Sequence, residues 1–241
     1  MNEIKNDPKT PFPFSMIEGM MPMYPMIALM GWMFVLIAVL VGLYVFSPAQ
    51  AVFFADAKAI REGAAAGSAF VQANVDRHVI EAWLPQFKFL GLGLGLMAIT
   101  MALGTIAKKL RYMGKVIASH MPATLRPDTP PIPKQARLFQ VSTMMGLMVL
   151  LGVLIYGLLL ATGAVPAYWN NAIIGNLNPA QVGSALLGQL GLVSSYAKWL
   201  NPLRMLGMSF LFTGIIIALG VIIGVLRLQA QMLVNFYNKA S

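Results

Sequence analysis

Few side chains in this sequence could carry acid–base or haem chemistry, and the histidines come first. There are two, His78 and His120. A haem in a membrane needs histidines that face each other from membrane-spanning segments, and neither histidine lies in a strongly apolar run. His78 follows Asp76 and Arg77 in a polar stretch, so we expect it to be a solvated or partner-facing residue. A metal-binding or proton-handling role for His78 is the alternative.

Carboxylates and thiols do not indicate a catalytic site either. The carboxylates between residues 47 and 88 alternate with cations, which is typical of exposed helices, whereas acid–base catalysis needs carboxylates held in a pocket. The chain has no cysteine, which excludes disulfides and thiolate sites. We therefore predict no enzyme activity for this chain by itself, no catalytic residue and no cofactor. The carboxylates are Asp56, Glu62, Asp76 and Glu81.

Methionine is the unusual residue type, with 18 in the chain. Met20, Met21 and Met23 lie just before the first apolar run, and thioether sulfurs are soft donors that suit Cu(I). Copper handling is therefore one functional hypothesis. Methionine is also a flexible filler at apolar interfaces, and no Cys or His accompanies this cluster. We expect the filler role, and these three methionines are the metal candidates if copper is bound.

Small residues recur inside the apolar runs at helical spacing. Gly91 and Gly95 form one pair, and Gly214 and Ala218 form another. Small side chains let helix backbones approach closely, so we expect helix packing at these positions. The alternative is a groove, lined by these four residues, that binds a quinone, a pigment or a lipid.

The elements that hold these residues are predicted to be membrane-spanning helices. The chain is 58% hydrophobic and 10% charged, whereas soluble domains have about 25% charged residues. Four apolar runs reach the length of about 20 residues that crosses a bilayer. None has a charged residue or a histidine in its apolar core. The predicted spans are residues 26–46, 89–107, 139–161 and 205–226.

The second and fourth spans belong to a repeated stretch. Residues Trp83 to Arg111 align without gaps with residues Trp199 to Arg227, and both copies keep the Trp at one end and the Arg at the other. These four residues are predicted to anchor the spans at the membrane interfaces. The first and third spans also match. We therefore predict an all-α membrane protein with four transmembrane helices, arranged as two tandem parallel-repeat helical hairpins with short amphipathic extracytoplasmic helices.

The chain divides into five predicted segments. These are a Pro- and Met-rich N-terminal arm (residues 1–25), a first hairpin (26–107), a basic Pro-rich strap (108–138), a second hairpin (139–227) and an interfacial helix end (228–241). Outer helices are predicted over 47–88 and 178–198. Ser47-Pro-Ala-Gln and Asn178-Pro-Ala-Gln are typical helix starts. A second helix in the first outer segment is predicted over Ser68–Trp83.

Lysine and arginine counts predict the orientation. With the N-terminus inside, the inner segments hold eleven of the 17 Lys and Arg residues and the outer segments hold six. Both termini and the strap are therefore predicted to be cytoplasmic, in a multi-pass protein of the cell inner membrane. Because this topology accounts for the net charge of +9, we predict no nucleic-acid binding.

The leading functional hypothesis is a non-catalytic integral membrane subunit that scaffolds or stabilises a larger, respiratory or redox, inner-membrane complex. The spans lack reactive groups, and residues 138–197 contain no Asp, Glu, Lys, Arg or His. A surface this apolar indicates a partner or a lipid contact. The predicted partners are other integral membrane subunits, lipids, and an extracytoplasmic partner over 47–88 and 164–202. The quinone, pigment or lipid binder and the copper handler are the alternatives.

Overall fold

The structure, a computed structural model, describes residues 19–120, 122, 134–171 and 184–240, and all regular structure in these residues is helical. Four helices in this part of the chain are long and apolar enough to cross a membrane, as in a multi-pass membrane protein. Helices are the expected outcome, because a backbone inside hydrocarbon has no water to bond and must satisfy its polar groups within the segment.

Seven α-helices are described. A 3₁₀ turn, Met21–Met23, precedes α1, and a π-helical turn, Gly42–Phe46, separates α1 from α2. The helices are α1 (Tyr24–Val41), α2 (Ser47–Phe53), α3 (Lys58–Glu62), α4 (Ala69–His120), α5 (Lys134–Thr162), α6 (Ala164–Trp169) and α7 (Ala185–Ala240).

The first long helix does not end before Ser47. It runs from Met21 to Phe53, whereas the sequence predicted a new helix start at Ser47. An N-cap needs non-helical backbone, but Ser47 itself has helical angles of φ −62° and ψ −43°. The Ser47 hydroxyl instead donates a hydrogen bond to the Gly42 carbonyl at 3.0 Å, within the π-helical turn.

The start of α4 follows the sequence pattern, but its length does not. Gly67 has a φ of +79°, which favours glycine, and the Ser68 hydroxyl accepts a hydrogen bond from the Val71 amide at 3.4 Å. The predicted outer helix Ser68–Trp83 then continues without a break through the second span. Pro85 lies inside this 52-residue helix. An internal proline removes one backbone hydrogen bond and can bend a helix without ending it.

The fourth span has the same continuity. Helix α7 is 56 residues long, contains Pro202, and includes the tail for which a helical end was predicted. The predicted helix start at Asn178 lies outside the described residues, as do the arm up to residue 18 and residues 121 and 123–133 of the strap. The helix that enters the strap ends at His120, and the next begins at Lys134.

The chain forms two compact units. The first unit comprises Met1–Leu29, Gly95–Gly146 and Ser209–Ser241, and the second comprises Met30–Leu94 and Leu147–Met208. A cluster of apolar side chains forms the core of each. In the first unit the buried members are Met21, Phe139 and Ala218. In the second, residues of α4, α5, α6 and α7 pack together, namely Ala82, Val153, Leu160, Ala161, Val165, Tyr196 and Leu200.

Glycine sets the closest helix contact in the second unit. A Cβ placed on Gly157 of α5 would lie 2.8 Å from the Ala82 carbonyl oxygen and 2.9 Å from Cγ of Gln86, both in α4. Five residues earlier on α5, a Cβ on Gly152 would meet no atom within 4 Å. The two glycines therefore share a helix but only Gly157 is required for packing.

This difference predicts opposite effects of one substitution. Gly157→Ala should lower the free energy of unfolding by about 1–3 kcal/mol, because the added methyl overpacks the α4–α5 contact. Gly152→Ala should raise it by up to about 1 kcal/mol, since alanine has the higher helix propensity. Thermal unfolding of both variants in detergent measures the difference. Equal effects of the two substitutions would show that α4 and α5 do not pack at Gly157.

Candidate functional site

Four methionine side chains line one small cavity in the first unit. Its volume is about 20 Å³, which is enough for a single water-sized particle. The methionines come from three separate segments of the chain: the 3₁₀ turn, α4 and α5. The lining residues are Met21, Met97, Thr100, Met101, Phe139, Gln140, Thr143 and Met144.

The hydroxyl groups in this lining are already used as donors. The Thr100 hydroxyl donates to the Leu96 carbonyl at 3.0 Å, and the Thr143 hydroxyl donates to the Phe139 carbonyl at 2.8 Å. Both bonds run back one turn along the residue's own helix. The threonine oxygens can therefore act only as acceptors or as ligands towards anything in the cavity.

The position of Met21 is fixed by a small residue opposite it. A Cβ on Gly104 of α4 would lie 3.1 Å from Cε and 3.2 Å from Sδ of Met21. Met21 is 6% exposed, and Met97 and Met101 are 5% and 4% exposed. Three of the four thioethers are thus held away from solvent by the protein.

The three methionines predicted as metal candidates have different positions in the structure. Of the three methionines, only Met21 lines the cavity, whereas Met23 is 45% exposed and Met20 is half-buried. Sequence reasoning missed Met97, Met101 and Met144. Met97 and Met101 are four residues apart and so share one helix face, a signal that could have been read as a ligand pair but is common in apolar spans.

The four groove candidates have different surroundings. Gly91 faces α1, where an added Cβ would lie 2.9 Å from Cβ of Phe34, and Ala218 is 2% exposed in the core of the first unit. A Cβ on Gly214 would meet the Thr143 hydroxyl oxygen. Gly95 has open space beside it. A groove at these residues stays a prediction, but three of the four already contact protein.

Two arginines of the second unit contact an aromatic pair. The guanidinium groups of Arg61 and Arg77 lie over the Phe53 ring at 4.9 and 4.7 Å, and over the Phe54 ring at 4.8 and 5.7 Å. Within the described residues, neither arginine has a carboxylate within 4 Å. Attraction between cation and ring therefore replaces ion pairs in joining α2, α3 and α4.

His78 lies at the edge of this cluster as a neutral ring. It stacks on Trp169 with ring centroids 3.9 Å apart. Its Nδ1 is 2.8 Å from the Asn74 carbonyl, which only accepts, and its Nε2 is 3.3 Å from an Arg77 nitrogen, which only donates. The proton must then sit on Nδ1. A ring held between these partners joins α4 to α6, and a metal-binding or proton-handling role for His78 stays a prediction.

The carboxylates are dispersed along the helices. Glu62 pairs with Lys58 at 3.5 Å, one turn away, and Asp76 accepts from Gln72 at 2.9 Å. In the part of the chain that the structure describes, no three His, Cys, Asp or Glu side chains come together as metal ligands. The predicted alternation of charges thus gives local contacts on helix surfaces rather than a pocket.

The predicted interface anchors have different surroundings. Trp83 is half-buried and packs edge-on against Phe87 with centroids 5.7 Å apart, while Trp199 is 40% exposed and lies 4.8 Å from the Tyr156 ring. Arg111 is half-buried and Arg227 is exposed. The pairs alignable in sequence therefore do not have equivalent contacts.

The arginine cluster predicts unequal roles for two neighbouring phenylalanines. Phe53 is 8% exposed and Phe54 is 55% exposed. Phe53→Leu should lower the free energy of unfolding by about 2 kcal/mol, the value of a desolvated cation–ring contact. Phe54→Leu should lower it by about 0.5–1 kcal/mol, the value at an exposed site. Thermal unfolding in detergent compares the two, and a larger effect at Phe54 would contradict the arrangement.

Comparisons with models of protein families, with curated proteins and with solved structures find no match to this chain. No relative therefore assigns a role to the methionine cavity, the arginine cluster or the glycine surfaces.

Proposed function

We propose that this chain is a non-catalytic integral membrane subunit that scaffolds or stabilises a larger inner-membrane complex, with any respiratory or redox chemistry in other chains. The observation that carries the proposal is a glycine face on α7. Gly220 and Gly224 are one turn apart, both are exposed, and an added Cβ on either would meet no atom within 4 Å.

This face differs from the glycines that the chain uses itself. Gly214, on the same helix, lies against Thr143 and the Phe139 carbonyl of α5. Small residues one turn apart are how membrane helices approach each other closely. Within the described residues, Gly220 and Gly224 have no such neighbour, so another subunit is the partner that would use them.

The first and fourth long helices are also the least buried. In the most apolar 18-residue stretch of each helix, 17% of the residues are buried in the first helix and 22% in the fourth, compared with 44% in the second and 39% in the third. The first helix also has exposed aromatic side chains: Trp32 is 74% exposed and Tyr44 is 70% exposed. Lipid covers part of such a surface, and a protein partner on the glycine face of α7 covers another part.

The N-terminal part of α7 supports an extracytoplasmic partner. Between Ser184 and Ala197 there is no charged residue, and Leu192 is 49% exposed. Uncharged surface of this kind is unfavourable in bulk water and is typical of a contact region. The predicted partner surfaces at 47–88 and 164–202 remain part of this proposal.

We include the tandem-hairpin repeat in the proposal. Gly42 and Gly157 are equivalent in the sequence alignment of the first and third spans. Gly157 packs against α4, whereas a Cβ on Gly42 would meet no atom within 4 Å. Because the two positions match in sequence, we expect a helix to pack against Gly42 as one does against Gly157. Within the described residues no helix does so, which leaves the open side of Gly42 as a second place for a helix from another subunit.

The glycine face predicts the effect of bulky substitution on assembly. In the variant Gly220→Ile/Gly224→Ile, native extraction should recover at least about tenfold less of the co-purifying protein, equivalent to a loss of about 1.4 kcal/mol of binding. The isoleucines prevent close approach of a partner helix, whereas an added Cβ at either position meets no atom of the described residues within 4 Å. Quantitative mass spectrometry of gentle-detergent extracts measures the recovery.

Gly152→Ile is the matched control, because Gly152 is also exposed and also has open space beside it, but lies on α5. It should leave the co-purifying protein in place. Equal recovery from the double variant and the wild type would reject α7 as the contact. A wild-type chain that runs as a monomer without any co-migrating protein would reject the subunit proposal itself.

The proposed orientation, with both termini cytoplasmic, predicts the labelling of introduced thiols. The natural chain has no cysteine, so single-cysteine variants give an unambiguous signal. Ala66→Cys should react with a membrane-impermeant maleimide in intact cells, and His120→Cys only after the membrane is permeabilised, since both positions are exposed. The reverse labelling pattern would invert the topology.

A further inference from the structure

We propose that the methionine cavity, formed by Met21, Met97, Met101 and Met144, binds a monovalent soft metal ion, Cu(I). The proposal is independent of the subunit function. It differs from the copper hypothesis based on the sequence, because the ligands come from three segments of the fold and only Met21 is shared with the earlier candidates Met20, Met21 and Met23.

The donor set fits this ion. All four methionines line the same space, and a thioether is a soft, neutral donor that selects Cu(I). Harder ions such as Mg²⁺ and Ca²⁺ need several oxygen ligands, usually including carboxylates. The lining has no carboxylate, and this disfavours them.

Charge further restricts the ion to a single positive charge. None of the eight lining residues is ionisable, so nothing in the lining neutralises a bound cation. The cost of moving an ion into a medium of low dielectric constant increases with the square of its charge, so a divalent ion costs about four times as much as a monovalent one. Cu(I) is therefore favoured over Cu(II) and Zn(II).

The threonine hydroxyls in the lining do not oppose a cation. Thr100 and Thr143 donate their hydroxyl hydrogens to carbonyls of their own helices, so neither directs a hydrogen at a bound ion.

The cavity leaves room for one ion. Methionine is unbranched and has three rotatable bonds, so its sulfur can adjust to a ligand position as well as to a gap in a core. Here four methionines border a space of about 20 Å³, and a metal ion coordinated by the sulfurs would occupy it.

The experiment measures transfer of Cu(I) to the purified full-length chain in detergent, under anaerobic conditions, from the coloured Cu(I) complex of bicinchoninate. We expect the wild type to withdraw one equivalent of Cu(I), and an excess of Zn(II) to leave that equivalent in place. Failure of the wild type to withdraw Cu(I), or displacement of Cu(I) by Zn(II), would overturn the proposal.

Substitution by leucine assigns the ligands, because a Met-to-Leu change nearly conserves volume and costs less than about 1.5 kcal/mol. Met144→Leu should weaken Cu(I) binding at least about tenfold, since the loss of a residue that only hydrogen-bonds to a metal ligand already lowers metal affinity by that factor. Met148→Leu is the matched control on the next turn of α5, where Met148 is 62% exposed, and should bind as the wild type does. Met20→Leu/Met23→Leu should also bind normally.

Equal affinity in Met144→Leu and Met148→Leu would overturn the site, and so would loss of binding in Met20→Leu/Met23→Leu alone. Elution profile and thermal unfolding show whether each variant is folded, and Met97→Leu replaces Met144→Leu if that variant is not. X-ray absorption of the Cu(I)-loaded wild type gives a test without substitutions. Sulfur neighbours support the site, and nitrogen or oxygen neighbours without sulfur would exclude it.

Discussion

The absence of water from the hydrocarbon layer is the constraint on which this structure depends. Every backbone amide and carbonyl there must be bonded within the protein, and the side chains follow the same rule. The hydroxyls of Thr100, Thr105, Thr143 and Thr213 each donate to the carbonyl four residues earlier. These helices can therefore carry hydroxyl groups and still leave no free donor at those positions.

Once the polar groups are satisfied inside each helix, shape determines how helices associate. Gly157 and Gly91 bring α5 and α1 close to α4, and Gly214 brings α7 close to α5. Hydrogen bonds between helices add direction in the first unit. The Ser142 hydroxyl donates to the Phe210 carbonyl at 2.7 Å, and the Gln229 side-chain amide donates to the Leu110 carbonyl at 2.6 Å. Gly220 and Gly224 have open space beside them and pack against no helix of the described residues. We therefore infer that a helix of a partner subunit packs against them.

The sequence predicted the spans well because crossing a bilayer requires only length and apolar composition, and all four helices are present. It predicted helix ends poorly. Ser47-Pro-Ala-Gln looks like a helix start, but the preceding turn stays helical and the cap is not used. The methionine cavity was not predictable for another reason. Local spacing can relate Met97 to Met101, but only the fold brings Met21 and Met144 to them.

The same constraint changes how the lack of charged residues in the spans is interpreted. An isolated carboxylate or ammonium group in an apolar interior is costly, and it tends to become neutral instead. A protein that holds a metal ion there gains by using ligands that are neutral at any pH, and thioethers meet that condition. Spans without Asp, Glu, His or Cys are thus poor sites for acid–base chemistry but remain suitable for a soft monovalent ion. Reactive groups inside a membrane are therefore better sought by donor softness than by charge alone.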